Sequence, residues 1–330
     1  MTTGPVLLLS AADVRRALPM IEAVEAMKQA FAWLSSGQAG LPLRSHVEAP
    51  DGQGRLLLMP CALPAAGALG LKAVSVFDRN PDRGLPRISA LVVLFDAETG
   101  RARAILEGGA LTALRTGAAS GAATDLMARP DATRAAIIGA GVQARTQLEG
   151  VCAVRTVREA RVYDVRTDAA AAFARTMSEE LGLPVRAAAT AAEAVRDADI
   201  VCAATPATSP VFADADLSAG VHINAVGAYL PEMQEVPVET VLRARVVVDH
   251  RESALEEAGD LLIPLRLGLW DASRIAAELG EVVTGKAPGR TSASEVTFFK
   301  SVGVAVQDLA AAVRIVANAG RLGLGCPAPF

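Results

Sequence analysis

The segment Arg134–Arg166 constrains this chain more than any other. An apolar run, Ala135-Ala136-Ile137-Ile138, meets Gly139-Ala140-Gly141-Val142-Gln143-Ala144. A helix-compatible stretch follows, and a second apolar run closes at Val162-Tyr163-Asp164. The spacing predicts strand, glycine turn, helix and strand, ended by an acid. Gly139 permits the tight turn, Gly141 lets the backbone approach a pyrophosphate, and Ala144 keeps the helix near the sheet. The helix start offers free N–H groups and a partial positive charge to phosphates. Asp164 falls about 20 residues after the turn, where a carboxylate holds a ribose 2′-hydroxyl. A plain βαβ turn also uses glycine, but here the flanking strands, the spacing and the terminal acid agree on a dinucleotide.

A chain of 330 residues exceeds one ordinary core, so two domains are expected. Hydrophobic residues reach 52% with only 4% aromatics, a composition suited to close helix–sheet packing in an α/β enzyme. The net charge of −4, with no basic block, argues against a nucleic-acid or anionic-membrane partner. Met1 to Ser10 lacks the charged start and cleavage signature of a signal peptide, and no uncharged apolar run is long enough to cross a bilayer. Cys61, Cys152, Cys202 and Cys326 are scattered, which suits free thiols in a reducing cytoplasm. His46, His222 and His250 do not cluster, so no metal site is expected.

The first ~115 residues suggest an α+β domain with a curved sheet. Asp13–Leu34 carries apolar residues at helical spacing and predicts one amphipathic helix. Strand-like runs follow at Arg55–Pro60, Leu69–Val76 and Ile88–Phe95, with a hairpin turn at Asp96–Gly100. From ~120 the rhythm becomes βα, with strands at Ala135–Ile138, Ala160–Tyr163, Val185–Ala187, Ile200–Ala203, Val221–Val226 and Arg245–Val248. Helices are expected over Gln143–Ala153 and Thr167–Leu181, which together with the strands predict a doubly wound parallel sheet. The tail, Ser301–Ala319, predicts an Ala-rich helix that returns to the first domain.

Three cations of the N-terminal half sit beside apolar strand-like runs: Arg44 in Leu41–Ser45, Lys72 in Leu69–Val74 and Arg115 in Leu111–Gly117. Each could lie along the surface with its charged head in water. Alternatively the three hold an anionic ligand, since a buried lysine needs a compensating charge and an arginine fork fits a carboxylate. The residues alone leave both readings open. His222 reads as a core residue in a strand, Trp33 and Trp270 as packing residues, Glu256 and Glu257 as helix cover, and Asp197/Asp199 as a solvated turn.

Five separated motifs, in order, resemble the ornithine cyclodeaminase/mu-crystallin family: Asp78-Arg79-Asn80-Pro81 with Gly84-Leu85-Pro86, Leu111–Thr116, Gly139–Ala144, His222–Gly227 and Phe299–Gly303. The family comprises ornithine and lysine cyclodeaminases, alanine dehydrogenases and ketimine reductases. The resemblance implies a Rossmann domain, residues 120–302, inserted into a substrate-binding and dimerisation domain of residues 1–119 plus 303–330, and a homodimer. It implies that Arg44, Lys72 and Arg115 surround the substrate carboxylate, with Lys72 also supplying a proton near the reacting nitrogen. Gly139, Gly141, Val142 and Gln143 would line the pyrophosphate turn, with Asp164 on the adenosine ribose. Ala203, Thr205, Val226 and Ser301-Val302-Gly303 would approach the nicotinamide. Asp164 favours NAD(H), while Arg166 beside it makes NADP(H) possible.

The chain departs from the family at one informative place. Cyclodeaminases and alanine dehydrogenases of this kind carry an Asp two residues after the glycine of the Val-Gly motif. Here the run is Val226-Gly227-Ala228-Tyr229-Leu230-Pro231-Glu232. A phenol with a pKa near ~10 is a poor base at neutral pH. Imine reductases do not need that acid, because their substrate arrives already dehydrated; Glu232 is the alternative stand-in. The expected activity is therefore NAD(P)H-dependent reduction of a cyclic imino acid, Δ1-pyrroline-2-carboxylate to proline or Δ1-piperideine-2-carboxylate to pipecolate. Ornithine cyclodeamination or alanine dehydrogenation, and a non-catalytic crystallin-like binding role, are the alternatives.

Overall fold

The computed structural model describes residues 4–42 and 44–329. The chain divides into two compact units, one made by residues up to Arg115 together with those from Val304 onward, the other spanning Thr116–Gly303.

In the first unit the strands are β1 (Val6–Leu9), β2 (Ser45–Glu48), β3 (Arg55–Leu63), β4 (Ala68–Val76), β5 (Ile88–Asp96) and β6 (Ala102–Glu107). With the C-terminal strand Cys326–Ala328 they form a seven-stranded sheet, in which that strand is followed by β1, β6, β5, β4, β3 and β2. Only the β1–β6 pairing is parallel. The register places Met59, Lys72 and Val92 in one row across β3, β4 and β5, and Cys61, Gly70 and Leu94 in a row on the same face. The C-terminal helix, Ala305–Leu322, lies on that face. Its buried stripe includes Ala305, Ala310, Ala311, Ala312 and Ala319, whose small side chains let the helix come close. At Gly70 an added Cβ would sit 2.5 Å from Leu309 and 2.8 Å from the Val93 carbonyl, so the sheet gives way there to the helix.

Two helical expectations are corrected. Asp13–Leu34 is not one helix but two, Ala11–Ala17 and Met20–Ser35. Pro19 lacks an N–H and forces Leu18 out of helical geometry, which breaks the first and starts the second. The C-terminal helix begins at Ala305 rather than Ser301, because Gly303 takes a φ of 81° and Val304 is extended.

The second unit holds β7 (Arg134–Ile138), β8 (Glu159–Tyr163), β9 (Val185–Ala187), β10 (Ile200–Ala203), β11 (His222–Ala225), β12 (Arg245–Val248), β13 (Ile275–Glu278) and β14 (Thr297–Lys300). They form an eight-stranded sheet in the order β13-β12-β14-β11-β10-β7-β8-β9, every pairing parallel. This is the expected doubly wound α/β sheet, with two more strands than the sequence suggested. β13 reads Ile-Ala-Ala-Glu, a composition that favours helix, and β14 is four residues ending in a lysine. β13 is a strand because the sheet pairs it, not because of local propensity, whereas β14 carries the strand formers Thr297, Phe298 and Phe299 in a run too short to stand out. β10, β11 and β14 are buried throughout, as strands covered on both faces must be.

His222 is fully buried, facing Thr297 Oγ1 at 2.9 Å and Asn224 Oδ1 at 3.2 Å. Burial pushes its imidazole down to about 3, so it is a neutral core residue. The expectation of a solvated turn fails at Asp199. That carboxylate is only 8% exposed and accepts from the Thr133 and Arg134 amides and from Arg129. No helix among the described residues is long and apolar enough to cross a membrane.

Candidate active site

Two constellations stand out, one on each unit. In the first unit, Lys72 points from the middle of β4 toward the C-terminal helix and is 4% exposed. A lone ammonium there would cost several kcal/mol. Asp308, in the first turn of the C-terminal helix, answers it: its Oδ2 lies 2.8 Å from Lys72 Nζ. Its Oδ1 accepts from Arg115 Nε at 3.0 Å. Arg115 stands in the helix Gly108–Met127, not beside a strand as the apolar run around it suggested. Gln307 completes the grip, its Oε1 accepting from Arg115 Nη1 at 2.8 Å and from the Val304 amide at 3.0 Å. Two donors on one oxygen fix the orientation of that side-chain amide. Gln307 Nε2 is then buried with no acceptor among the described residues. An unmet buried donor costs about 1–3 kcal/mol, so the cluster is one acceptor short.

The electrostatics follow from burial and these contacts. Burial pushes the Lys72 ammonium down to about 8; Asp308 opposes the shift, while Arg115 and, more weakly, Arg44 add to it. Desolvation, not the arginines, is thus the leading cause of a depressed lysine. Burial pushes the Asp308 carboxyl up, but Arg115 and Lys72 outweigh it and hold the group below the usual carboxylate range. Arg44, half-buried immediately before β2, is close enough for its charge to reach Lys72. Cys61, on the Lys72 face of β3, has its thiol pushed up to about 12 by burial and by Asp308, so it is inert.

The second constellation lies along the carboxyl ends of five neighbouring strands of the second unit, in the order β14, β11, β10, β7, β8. After β7, Gly139 takes a φ of 100°, and a Cβ there would meet the Ala204 carbonyl at 2.8 Å. Gly141 has open space where a Cβ would be. It precedes the helix Val142–Val154, whose first turn has no side-chain cap. Those N–H groups are therefore available to an anion. After β8, Asp164 accepts from the Ala140 amide at 2.8 Å and the Arg166 amide at 2.9 Å. The Arg166 side chain is 69% exposed, its Nε 3.6 Å from Asp164. The strand order reverses between β7 and β10, which is where open α/β sheets bind ligands. An open glycine cradle, an uncapped helix start and an acid at the second strand fit a dinucleotide.

The remaining predicted positions fall on the same edge. Ala203 is the last residue of β10, Thr205 follows it, Val226 follows β11, and Ser301 to Gly303 follow β14. What the sequence did not reveal is how these loops are held. Glu235, fully buried, accepts from the Thr205 amide and hydroxyl and from the Gly227 and Ala228 amides. Asp249, also fully buried, accepts from Ser301 Oγ and the Val302 and Gly303 amides. Asp260 accepts from the Glu235 and Val236 amides and pairs with the fully buried Lys300 at 2.8 Å. Glu232, the alternative stand-in acid, is exposed, and Tyr229 packs partly buried against the core. Asp308 and Gln307 were also missed. Their one signal was a Gln-Asp pair opening an otherwise Ala-rich helix.

A sequence model described as the Ornithine cyclodeaminase/mu-crystallin family matches residues 6–321. A Delta(1)-pyrroline-2-carboxylate reductase of Bacillus cereus is 41% identical over 320 residues, 97% of this chain and 98% of that protein. The structure of Thermococcus litoralis Delta(1)-pyrroline-2-carboxylate reductase in complex with NADH and L-proline aligns with a TM-score of 0.94 at 42% identity, covering 97% of this chain and 99% of that one. An archaeal alanine dehydrogenase dimer with bound NAD aligns with a TM-score of 0.92 at 36% identity, covering 98% and 99%. The motifs, the two-unit architecture and these likenesses agree: the chain belongs to the ornithine cyclodeaminase/mu-crystallin family.

Proposed function

We propose that this protein is an NAD(H)-dependent oxidoreductase that reduces a cyclic ketimine acid, Δ1-pyrroline-2-carboxylate to proline or Δ1-piperideine-2-carboxylate to pipecolate. The observation that carries the reading is the buried Lys72–Asp308–Arg115 cluster, on a chain 41% identical to a reductase of that substrate. Lys72 and Arg115 against the single carboxylate of Asp308 leave a net positive charge, which the carboxylate of an imino acid would offset. Arg115 keeps Nη2 for it, since Nε and Nη1 are taken by Asp308 and Gln307. Each charge-assisted contact is worth about 1.5–3 kcal/mol. A reduced dinucleotide held by the second unit would supply the hydride, one hydrogen nucleus with its electron pair, that the imine carbon needs. Lys72 delivers the proton to the imine nitrogen: its N–H bond breaks as the product N–H forms, and solvent restores it. Gly139, Gly141, Val142 and Gln143 would receive the pyrophosphate, Asp164 the ribose, and Ala203, Thr205, Val226, Ser301 and Gly303 the nicotinamide.

The test is NADH consumption with both ring sizes, with ornithine or alanine plus NAD as controls. Turnover with a cyclic imine is expected. Ammonia from ornithine or alanine, with no turnover of either imine, would overturn the assignment. Cofactor choice has its own check. Asp164→Ala should raise the KM for NADH by about tenfold or more, the cost of one charge-assisted hydrogen bond. It should narrow the gap to NADPH by a similar factor, because the acid that repels a 2′-phosphate is gone while Arg166 remains. An unchanged ratio of the two cofactors would remove Asp164 from ribose recognition.

The assembly we propose is a homodimer. On the sheet face away from the C-terminal helix, the rows Ala62–Leu69–Phe95, Pro60–Leu71–Val93 and Leu58–Ala73–Leu91 are apolar throughout. Leu69 and Leu91 are 38% and 53% exposed. Such a patch marks an interaction surface.

A further inference from the structure

We propose that Asp308 is a positioning residue of the reductive site: by bridging Lys72 and Arg115 it holds the Lys72 ammonium charged and in place, so the proton is loaded before the imine arrives. The proposal rests on the reading of Lys72 as proton donor.

Geometry carries it. Asp308 is 2% exposed and uses one oxygen for each cation, Oδ2 at 2.8 Å from Lys72 and Oδ1 at 3.0 Å from Arg115. A carboxylate with Oδ1 hydrogen-bonded by Arg115 and Oδ2 in ion-pair contact with Lys72, near the start of a helix where the dipole favours an anion, stays ionised. Arg115 cannot swing away from it, because Gln307 holds the neighbouring Nη1. The groups facing Lys72 are few. Arg115 comes from the helix Gly108–Met127, Arg44 from the segment before β2, Cys61 from β3, and Asp308 from the C-terminal helix. Of these Asp308 alone favours a charged lysine, since Arg115 and Arg44 repel it, burial disfavours it, and the thiol is neutral. Asp308 thus opposes every other influence at this position. Once the proton has moved to the imine, the neutral amine keeps a carboxylate partner, which draws it back toward the charged form as solvent protonates it.

The experiment is the pH profile of kcat/KM for imine reduction by the NADH-loaded enzyme. In the wild type activity should fall through a single-proton limb near about pH 8, as Lys72 loses its charge. Asp308→Asn should move that limb toward acid by about one to three pH units, the usual effect of losing an opposite charge at contact distance. Its rate should recover substantially below the shifted limb. Asp308→Glu, which keeps the charge, should return the limb toward its wild-type position even if the rate is lower. A binding readout runs beside the rates. Pyrrole-2-carboxylate, a planar anion that cannot be reduced, should draw protons onto the wild-type enzyme near about pH 8, because its carboxylate favours the charged lysine. Calorimetry in buffers of different ionisation enthalpy measures that uptake, and in Asp308→Asn it should move to lower pH.

An unmoved limb in a folded Asp308→Asn variant overturns the proposal. Proton uptake at an unshifted pH in the folded Asp308→Asn variant overturns it as well, and uptake shifted toward acid there, with Asp308→Glu restoring the wild-type position, supports it. A Lys72→Met variant separates the two claims. Wild-type turnover without Lys72 defeats the donor reading itself, whereas lysine-dependent turnover with an unmoved limb defeats only the role of Asp308.

Discussion

Lys72→Met should lower kcat for imine reduction by about 10²- to 10⁴-fold, the range expected when a positioned proton donor is removed. Methionine approximates the lysine stem, so the row Met59, position 72 and Val92 keeps its packing. Asp308 remains paired with Arg115 and does not become a stranded buried charge. The variant should therefore fold, and its affinity for NADH should be unchanged, because the glycine turn belongs to the other unit. Its KM for the imino acid should rise as well, since one of the cations facing the carboxylate is lost. The deficit should persist across the pH range, unlike that of a variant in which the lysine is present but discharged. Steady-state kinetics with either cyclic imine decide this, and a rate equal to wild type would remove Lys72 from the chemistry.

Lys300→Met should destabilise the second unit by about 3–5 kcal/mol, the usual cost of breaking a buried ion pair from one side. Lys300 and Asp260 are both fully enclosed. Burial already pushes the Glu235 carboxyl up; Lys300 opposes that shift and Asp260 adds to it. Without the ammonium, two buried carboxylates face each other uncompensated. The pH dependence has a definite sign. An acid whose folded pKa lies above its unfolded value gains folded-state stability as pH falls through the folded value. The deficit of Lys300→Met should therefore be largest at neutral pH and shrink under mild acid, as Glu235 takes up a proton. Denaturant midpoints of wild type and variant at the two pH values measure this. A neutral-pH loss below about 1 kcal/mol would show that the pair contributes little.

Much of this was legible in the chain. Gly139, Gly141 and Asp164 stand where their spacing placed them because strand, turn and helix are local, and the chemistry of each step is written within a few residues. The helix Thr167–Leu181 has the bounds its periodicity suggested. Local rules failed where tertiary pairing decides: β13, Ile-Ala-Ala-Glu, is a strand because β12 hydrogen-bonds to it. They failed also at Pro19, whose break was written in the sequence but outweighed by an apolar period running through it. The ion partners were the least readable. Asp308 meets Arg115 across 193 residues of sequence, and Asp260 meets Lys300 across 40. No short-range pattern ties such pairs, and a lone acid in an Ala-rich helix looks like solubilising charge until the fold buries it.

Asp164 serves two masters. The carboxylate proposed for the ribose also secures the Ala140 amide, and so the glycine turn proposed for the phosphates. Evolution toward the phosphorylated coenzyme by discarding Asp164 would loosen that turn at the same stroke. Position 166 carries a lighter duty, because the Arg166 amide is tied to Asp164 while its largely exposed guanidinium makes only a loose ion pair with the same acid, Nε 3.6 Å away. Natural or laboratory selection for a changed coenzyme has its least disruptive route there, with the acid left in place.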